Sequence, residues 1–231
     1  MKLLDVTEVK LEWLDLSTLT QHKPRPYEII PGKIGTTQIL RYIATTLGTL
    51  KLHEEDVEDI PWRILMGMGW ETMCAQMYEE MHWPARVLHH GGIMGHPDAN
   101  SWVSGRYGDA VLDDAFCIDE FKYTAKSVRE KGAPAHKLKD IRAEWMWQRQ
   151  VMSYHALMLK TNAHVYGANI KKRRFLGRFH IMWAMGAYEK WTLDERYLRY
   201  LVEYEQEEIE KHWAMMEANE EGARKWIQGR P

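Results

Sequence analysis

Apolar and polar positions along the chain fall into short stretches of distinct period. Residues 36–47 read as a helix. From Pro61, the run WRILMGMGWETMCAQMYEEMH places Leu65, Met68, Thr72 and Ala75 at helical spacing, meets no proline before Pro84 and predicts a second helix. Gly91-Gly92, Pro97, Gly105, Gly108 and Asp113-Asp114 then cut residues 85–124 into short apolar runs. Such punctuation predicts a three-strand meander, with tight turns expected at Gly91-Gly92 and Asp113-Asp114. Residues 141–160 return to helical spacing, with Ile141, Trp145, Gln148, Met152 and Leu159 along one stripe. AHVYGANI and RFHIMWAM predict two further strands on either side of the basic run Lys171-Lys172-Arg173-Arg174. A long charged helix is expected over residues 193–219, burying Leu198, Leu201, Val202, Ile209 and Trp213 and solvating the acidic run Glu203 to Glu210.

This order of elements predicts an α/β (α+β) chain in which a mixed sheet is flanked by helices. Residues 1–60, with Pro24, Pro26 and Pro31, read as an N-terminal extension packed on a core of residues 61–231, in a single domain overall. At 231 residues and 45% hydrophobic content the chain is long enough for one well-buried core.

Charge narrows the partners. Lys and Arg number 31 against 33 Asp and Glu, a net charge of -2, so any contact with a polyanion must come from a local patch. Cys74 and Cys117 are too few for a disulfide framework and form no C-x-x-C pair, which suits a reducing cytoplasm. The opening residues mix acids with apolar positions, unlike a signal peptide, and no stretch reaches the ~18 apolar residues of a membrane helix. His82, His89, His90 and His96 fall in no recognised zinc spacing and read as ordinary histidines.

The candidate chemistry sits in AFCIDEFKYT. Residues two apart on a strand share a face, so Glu120 and Lys122 project together while Asp119 and Phe121 point away. A carboxylate there can hold a divalent cation that activates water, and a lysine can orient that water or offset charge on a phosphate. A hard cation needs more oxygen ligands, and two aspartates are candidates. A turn at Asp113-Asp114 would fold Asp109 back beside Glu120, and sequence spacing favours it. Asp98 needs a longer strand pair.

Pro97-Asp98, Glu120-x-Lys122 and Gln150-Val151-Met152-Ser153-Tyr154, in that order, resemble the PD-(D/E)XK nuclease superfamily, and more narrowly its RecB-like and lambda-exonuclease-like phage branch. GMGWETMCAQMY resembles the helix that lends that family a carboxylate, with Glu71 in the matching place. GIMGHPDA, DEFKYTAKS and WMWQRQVMSY follow the order seen in phage nucleases. The resemblance spans about residues 61–170. It implies a restriction-endonuclease-like fold and a metal-dependent deoxyribonuclease. It further implies one or two Mg²⁺ or Mn²⁺ ions held by Asp98, Glu120 and Glu71, with Lys122 beside the attacking water. On this comparison Asp98 ranks above Asp109, although Ala99 replaces the usual glycine and the hairpin is longer. The branch that carries a four-cysteine iron–sulfur cluster is disfavoured by the count of two cysteines.

An isolated Glu-x-Lys is more often a same-face ion pair, and a helix acid such as Glu71 is more often solvated. The ordered set of motifs is what raises the catalytic reading. Gln150 and Tyr154, four apart on one helix face, are expected to contact DNA or to steady the catalytic elements. Lys171, Lys172, Arg173 and Arg174 are expected to meet the DNA backbone. The family resemblance points to an exonuclease processing DNA ends for recombination with a single-strand annealing protein, and leaves room for a homo-oligomer. A site-specific or structure-specific endonuclease and a non-catalytic DNA-binding module remain alternatives.

Overall fold

The computed structural model describes residues 1–8, 30–48, 69–72, 74, 85–124, 140–169, 172–183 and 197–229. Its centre is a five-stranded sheet built on the longest strand, β6 (Ala110–Thr124). On one side β6 pairs antiparallel with β5 (Ala99–Tyr107). On the other it runs parallel to β7 (Phe175–Trp183), which pairs antiparallel with β8 (Tyr197–Tyr204). The far edge is β1 (Lys2–Glu8), antiparallel to β8. Residues read as an N-terminal extension therefore supply a strand of the central sheet. A smaller sheet joins β2 (Ile34–Gly35), β4 (Ile93–Gly95) and β3 (Leu88–His90) in that order.

Three helices complete the described fold: α1 (Thr36–Thr46), α2 (Trp145–Thr161) and α3 (Gln206–Gln228). Side chains of all three join Ile118, Phe179, Ile181, Leu198, Tyr200 and Val202 in the main core on one face of the sheet. On the other face Trp70 and Cys74, from helical residues 69–72 and 74, pack with Phe121, Met182 and Tyr197. This is the expected mixed sheet flanked by helices. The remainder of the helix expected from Pro61 lies outside the described residues, as do His82 and Lys171.

Several expected elements take a different form. Residues 197–204 form a strand, not the start of a helix, and the last helix occupies Gln206–Gln228. Leu198, Leu201 and Val202 fit helical spacing, but the strand is covered on both faces, so its apolar residues do not alternate. Glu205 begins the helix in a capping box, its N–H donating to Glu208 Oε2 at 3.1 Å. AHVYGANI forms a 3-10 turn, Ala163–Tyr166, where a strand was expected. Tyr166 Oη meets His155 Nδ1 at 2.6 Å and Gly167 leaves the turn at φ 80.

The meander also divides. Gly91-Gly92 does turn β3 into β4, but that pair belongs to the smaller sheet. The β5–β6 hairpin turns at Gly108-Asp109, between the paired residues Tyr107 and Ala110, with Gly108 at φ 57. Asp113-Asp114, the expected turn, lies inside β6 at a bulge between the pairs Gly105–Leu112 and Val103–Ala115. Asp114 takes φ 46 there and donates its N–H to Ser104 Oγ at 2.8 Å.

Candidate active site

The ladder between β5 and β6 closes with Ala99 opposite Asp119, so Asp98 emerges at the strand end beside Glu120. Its Oδ2 accepts the backbone N–H of Phe121 at 2.8 Å, and its own carbonyl accepts from Ala85 N at 3.3 Å. Lys122 Nζ stands 4.0 Å from Asp98 Oδ2 and donates to Glu120 Oε2. Asp98, Glu120 and Lys122 thus form one cluster. Asp109 does not join it: exposed at the hairpin tip just before β6, it lies roughly 35 Å along the chain from Glu120 at ~3.3 Å per residue.

Register explains why β5 stops where it does. Continued by two residues, it would set Pro97 against Phe121, and proline has no N–H for a ladder bond. The Asp98 side chain satisfies the Phe121 N–H instead. A strand residue sends its N–H and C=O to the same side, so the Phe121 carbonyl faces the Asp98 edge as well.

Glu120 is fully buried, and its Oε1 makes no hydrogen bond among the described residues. Burial, reinforced by the Asp98 charge and opposed by Lys122, pushes its carboxyl up to about 8. Burial disfavours the Lys122 ammonium, but the Glu120 and Asp98 carboxylates outweigh that and raise its pKa. A buried carboxylate oxygen without a donor is costly unless a cation completes it. The charge on Glu71, from the helical residues that pack through Trp70 and Cys74 on the other face of the sheet, also acts on both Glu120 and Lys122. Glu71 follows Trp70, whose indole N–H donates to the His180 carbonyl at 2.8 Å.

These oxygens suit a hard divalent ion. Among the described residues no three His, Cys, Asp or Glu side chains are drawn tightly enough together to hold a metal by themselves. A cation would therefore take Asp98 and Glu120 and complete its shell with backbone, water or phosphate oxygens.

The helix motif packs close behind. Gln150 Nε2 donates to Tyr154 Oη at 2.7 Å. Tyr154 is 2% exposed, and its ring lies against Gly95 so tightly that a Cβ there would come within 2.8 Å of it. Gly95 lies three residues before Asp98 on the chain. In the basic run Lys172 is exposed, Arg173 Nε donates to the Gly167 carbonyl at 3.4 Å, and Arg174 Nη2 donates to Glu203 Oε2 at 3.0 Å. Arg174 is thus engaged in joining β7 to β8.

Sequence reasoning missed the reverse face. Asp119, pointing away from Glu120, accepts at Oδ1 from Arg178 Nε at 2.5 Å and His180 Nε2 at 3.2 Å, and at Oδ2 from Ser101 Oγ at 2.6 Å. Burial opposes its charge, but Arg178 and His180 hold its pKa below the usual carboxylate value. Burial drops His180 to about 4, so the ring is neutral near pH 7. Asp119 can only accept, which puts the ring proton on Nε2 and leaves Nδ1 to accept from Tyr197 Oη at 2.6 Å. The signal available was Arg178 and His180 inside the otherwise apolar run FLGRFHIMW, since a buried arginine demands an acid.

No family model and no curated protein matches the chain. Among solved structures it is similar to an alkaline exonuclease from Laribacter hongkongensis, at 11% identity and a TM-score of 0.39, over 85% of this chain and 90% of that one. It is also similar to that exonuclease in complex with dAMP, at 12% identity and a TM-score of 0.33 over the same shares. Likenesses this distant carry no weight for the chemistry, which stands on the residues themselves.

Proposed function

We propose that the chain is a metal-dependent deoxyribonuclease that hydrolyses phosphodiester bonds at the Asp98, Glu120 and Lys122 cluster. The observation that carries this reading is the buried Glu120 Oε1, left without a hydrogen bond between Asp98 and Lys122. A structural ion pair would satisfy both oxygens; a cation site leaves one for the metal. Asp98 and Glu120 would hold one or two Mg²⁺ or Mn²⁺ ions with the Phe121 carbonyl, and Glu71 would add negative charge nearby. A bound cation supplies Lewis acidity, polarising the phosphate and easing loss of a water proton.

The chain's own groups do the rest. Lys122 places an ammonium beside both carboxylates, where it orients the attacking water and offsets charge developing on the phosphate oxygens. Water attacks phosphorus, the bond to the leaving ribose oxygen breaks, and a proton returns to that oxygen. Asp98 is fixed by the Phe121 N–H, so its carboxylate stays aimed as the other ligands move.

The motif order favours an exonuclease of the phage recombination type, acting on DNA ends alongside a single-strand annealing protein. An endonuclease is the second form of the same chemistry, and closed circular DNA separates them. Linear duplex is expected to be degraded in Mg²⁺ or Mn²⁺ and the closed circle spared. Glu120→Gln and Lys122→Ala are expected to abolish cleavage while leaving the fold intact. DNA binding without cleavage in either metal would sink the enzyme reading in favour of a binding module.

A further inference from the structure

The three acids of the proposed site come from separate pieces of chain, yet each lies beside a residue or strand gripped from the reverse face of the sheet. Asp119 precedes Glu120, and neighbouring strand residues project to opposite faces about 3.3 Å apart. Fixing the Asp119 carboxylate behind the sheet therefore fixes the Glu120 backbone in front of it. Ser101 lies on β5, which begins immediately after Asp98, and its hydroxyl bonds to Asp119 Oδ2 at 2.6 Å. Arg178 of β7 spans both, with Nε on Asp119 and Nη2 on Ser101 Oγ at 2.9 Å. His180 adds a second β7 contact to Asp119 and joins Tyr197 of β8. Trp70, which precedes Glu71, donates to the His180 carbonyl at 2.8 Å and sets its ring edge-on to Tyr197 at 4.7 Å.

We propose that this buried network of Asp119, Arg178, Ser101 and His180 is a positioning device that sets the separations of Asp98, Glu120 and Glu71 for cation binding, an inference that rests on the nuclease reading above. Stability alone is a poor account of it. A buried ion pair is often no more stabilising than apolar residues of equal volume, because both charges lose their water. What apolar residues would not supply is direction. The Arg178 fork ties β5 to β6 close to the last ladder pair, Ala99 with Asp119, where the strand carrying Asp98 departs. Without that cross-link the β5 end can shift relative to Glu120, and a hard cation tolerates little change in ligand distance.

The test uses the full chain and Mn²⁺ as probe, with the Mn²⁺ dissociation constant, Tm, and kcat and KM on linear duplex DNA as readouts. The double variant Asp119→Leu/Arg178→Met is expected to lower Tm by only a few degrees, because it removes both charges together and leaves just the His180 N–H and the Ser101 hydroxyl without their acceptor. Its Mn²⁺ affinity should fall roughly 10–100-fold, as when outer supports of metal ligands are removed. Its kcat should fall in step, with KM for DNA unchanged. Ser101→Ala removes one hydroxyl and guards against a double variant that fails to fold. It should bind Mn²⁺ several-fold more weakly at nearly unchanged Tm. Wild-type Mn²⁺ affinity and kcat in a folded variant would overturn the proposal, as would affinity lost only in proportion to Tm. Wild-type protein that binds no Mn²⁺ and cleaves nothing would overturn the nuclease reading itself, and this inference with it.

Discussion

The Asp98 carboxylate holds the Phe121 N–H at 2.8 Å, so the acid at the head of β5 is locked to the strand residue between Glu120 and Lys122. Asp109, on the exposed hairpin tip, has no such tie among the described residues. Asp98→Asn keeps an oxygen for the Phe121 N–H but loses the charge a cation requires. Cleavage of linear DNA is expected to fall on the order of 100-fold, comparable with loss of one electrostatic contact to a transition state. Asp109→Ala should cleave within about twofold of wild type, as surface changes remote from a site usually do. Assaying both side by side decides between the aspartates; a larger loss at Asp109 would reverse the assignment.

Glu120 gives the metal-free protein a distinctive pH dependence. Its folded pKa is raised from 4.5 to about 8, chiefly by burial. The stabilisation from keeping this acid protonated is complete below about pH 4.5 and is lost as pH rises, until none remains above about 8. Lys122 adds no slope in that window, because its pKa is raised and it stays charged throughout. Glu120→Gln cannot ionise, so its stability relative to wild type should climb between about pH 5 and 8 and then level off. Each kcal/mol gained corresponds to roughly 2–4 °C in Tm at this chain length. Thermal melts across that range in chelator check the slope. Mn²⁺ titrations should show affinity rising over the same window as the Glu120 proton is displaced.

The sequence carried the acids more clearly than the scaffold around them. The shared face of Glu120 and Lys122 followed from strand alternation, whereas their reading as a candidate site, like that of Pro97-Asp98, came from the resemblance to a nuclease motif. The bulge at Asp114 was hidden, because an Asp-Asp pair suits a hairpin turn as well as a bulge and only strand pairing distinguishes them. β8 was hidden for a different reason. A strand covered on both faces loses its period of two, and its apolar residues then fit a helix equally well. β1 alternates faintly, and nothing in residues 1–8 names its partner β8, some 200 residues away. The Asp119 network was legible only in part, since Arg178 announced a buried partner without saying which acid it was.

Gly95 tests how closely α2 must sit against the strand leading to Asp98. An added Cβ would lie 2.8 Å from the Tyr154 ring and 2.9 Å from Leu157. Gly95→Ala is expected to cost ~1–3 kcal/mol through overpacking. Activity should fall as well, because relief requires α2 or β4 to move, and β4 leads directly into Pro97-Asp98. In a Tyr154→Ala background the penalty of Gly95→Ala should shrink, since the ring it strikes is gone. Chemical denaturation of the four proteins in that cycle measures the coupling; strict additivity would mean the helix and strand do not constrain one another.

The basic run separates into an exposed lysine, proposed to meet DNA, and an arginine held in a structural tie. Lys172 is exposed, whereas Arg174 is paired with Glu203 on the neighbouring strand. A lysine that neutralises one phosphate releases its counterions, so Lys172→Ala should weaken binding to any duplex about equally. The slope of log affinity against log salt should fall by roughly 1. Arg174→Ala removes a half-buried ion pair between β7 and β8 and should act mainly on stability, lowering Tm while changing the salt slope little. Binding isotherms at several salt concentrations, beside thermal melts of both variants, distinguish the two roles. An unchanged slope in Lys172→Ala would place the DNA path elsewhere on the surface.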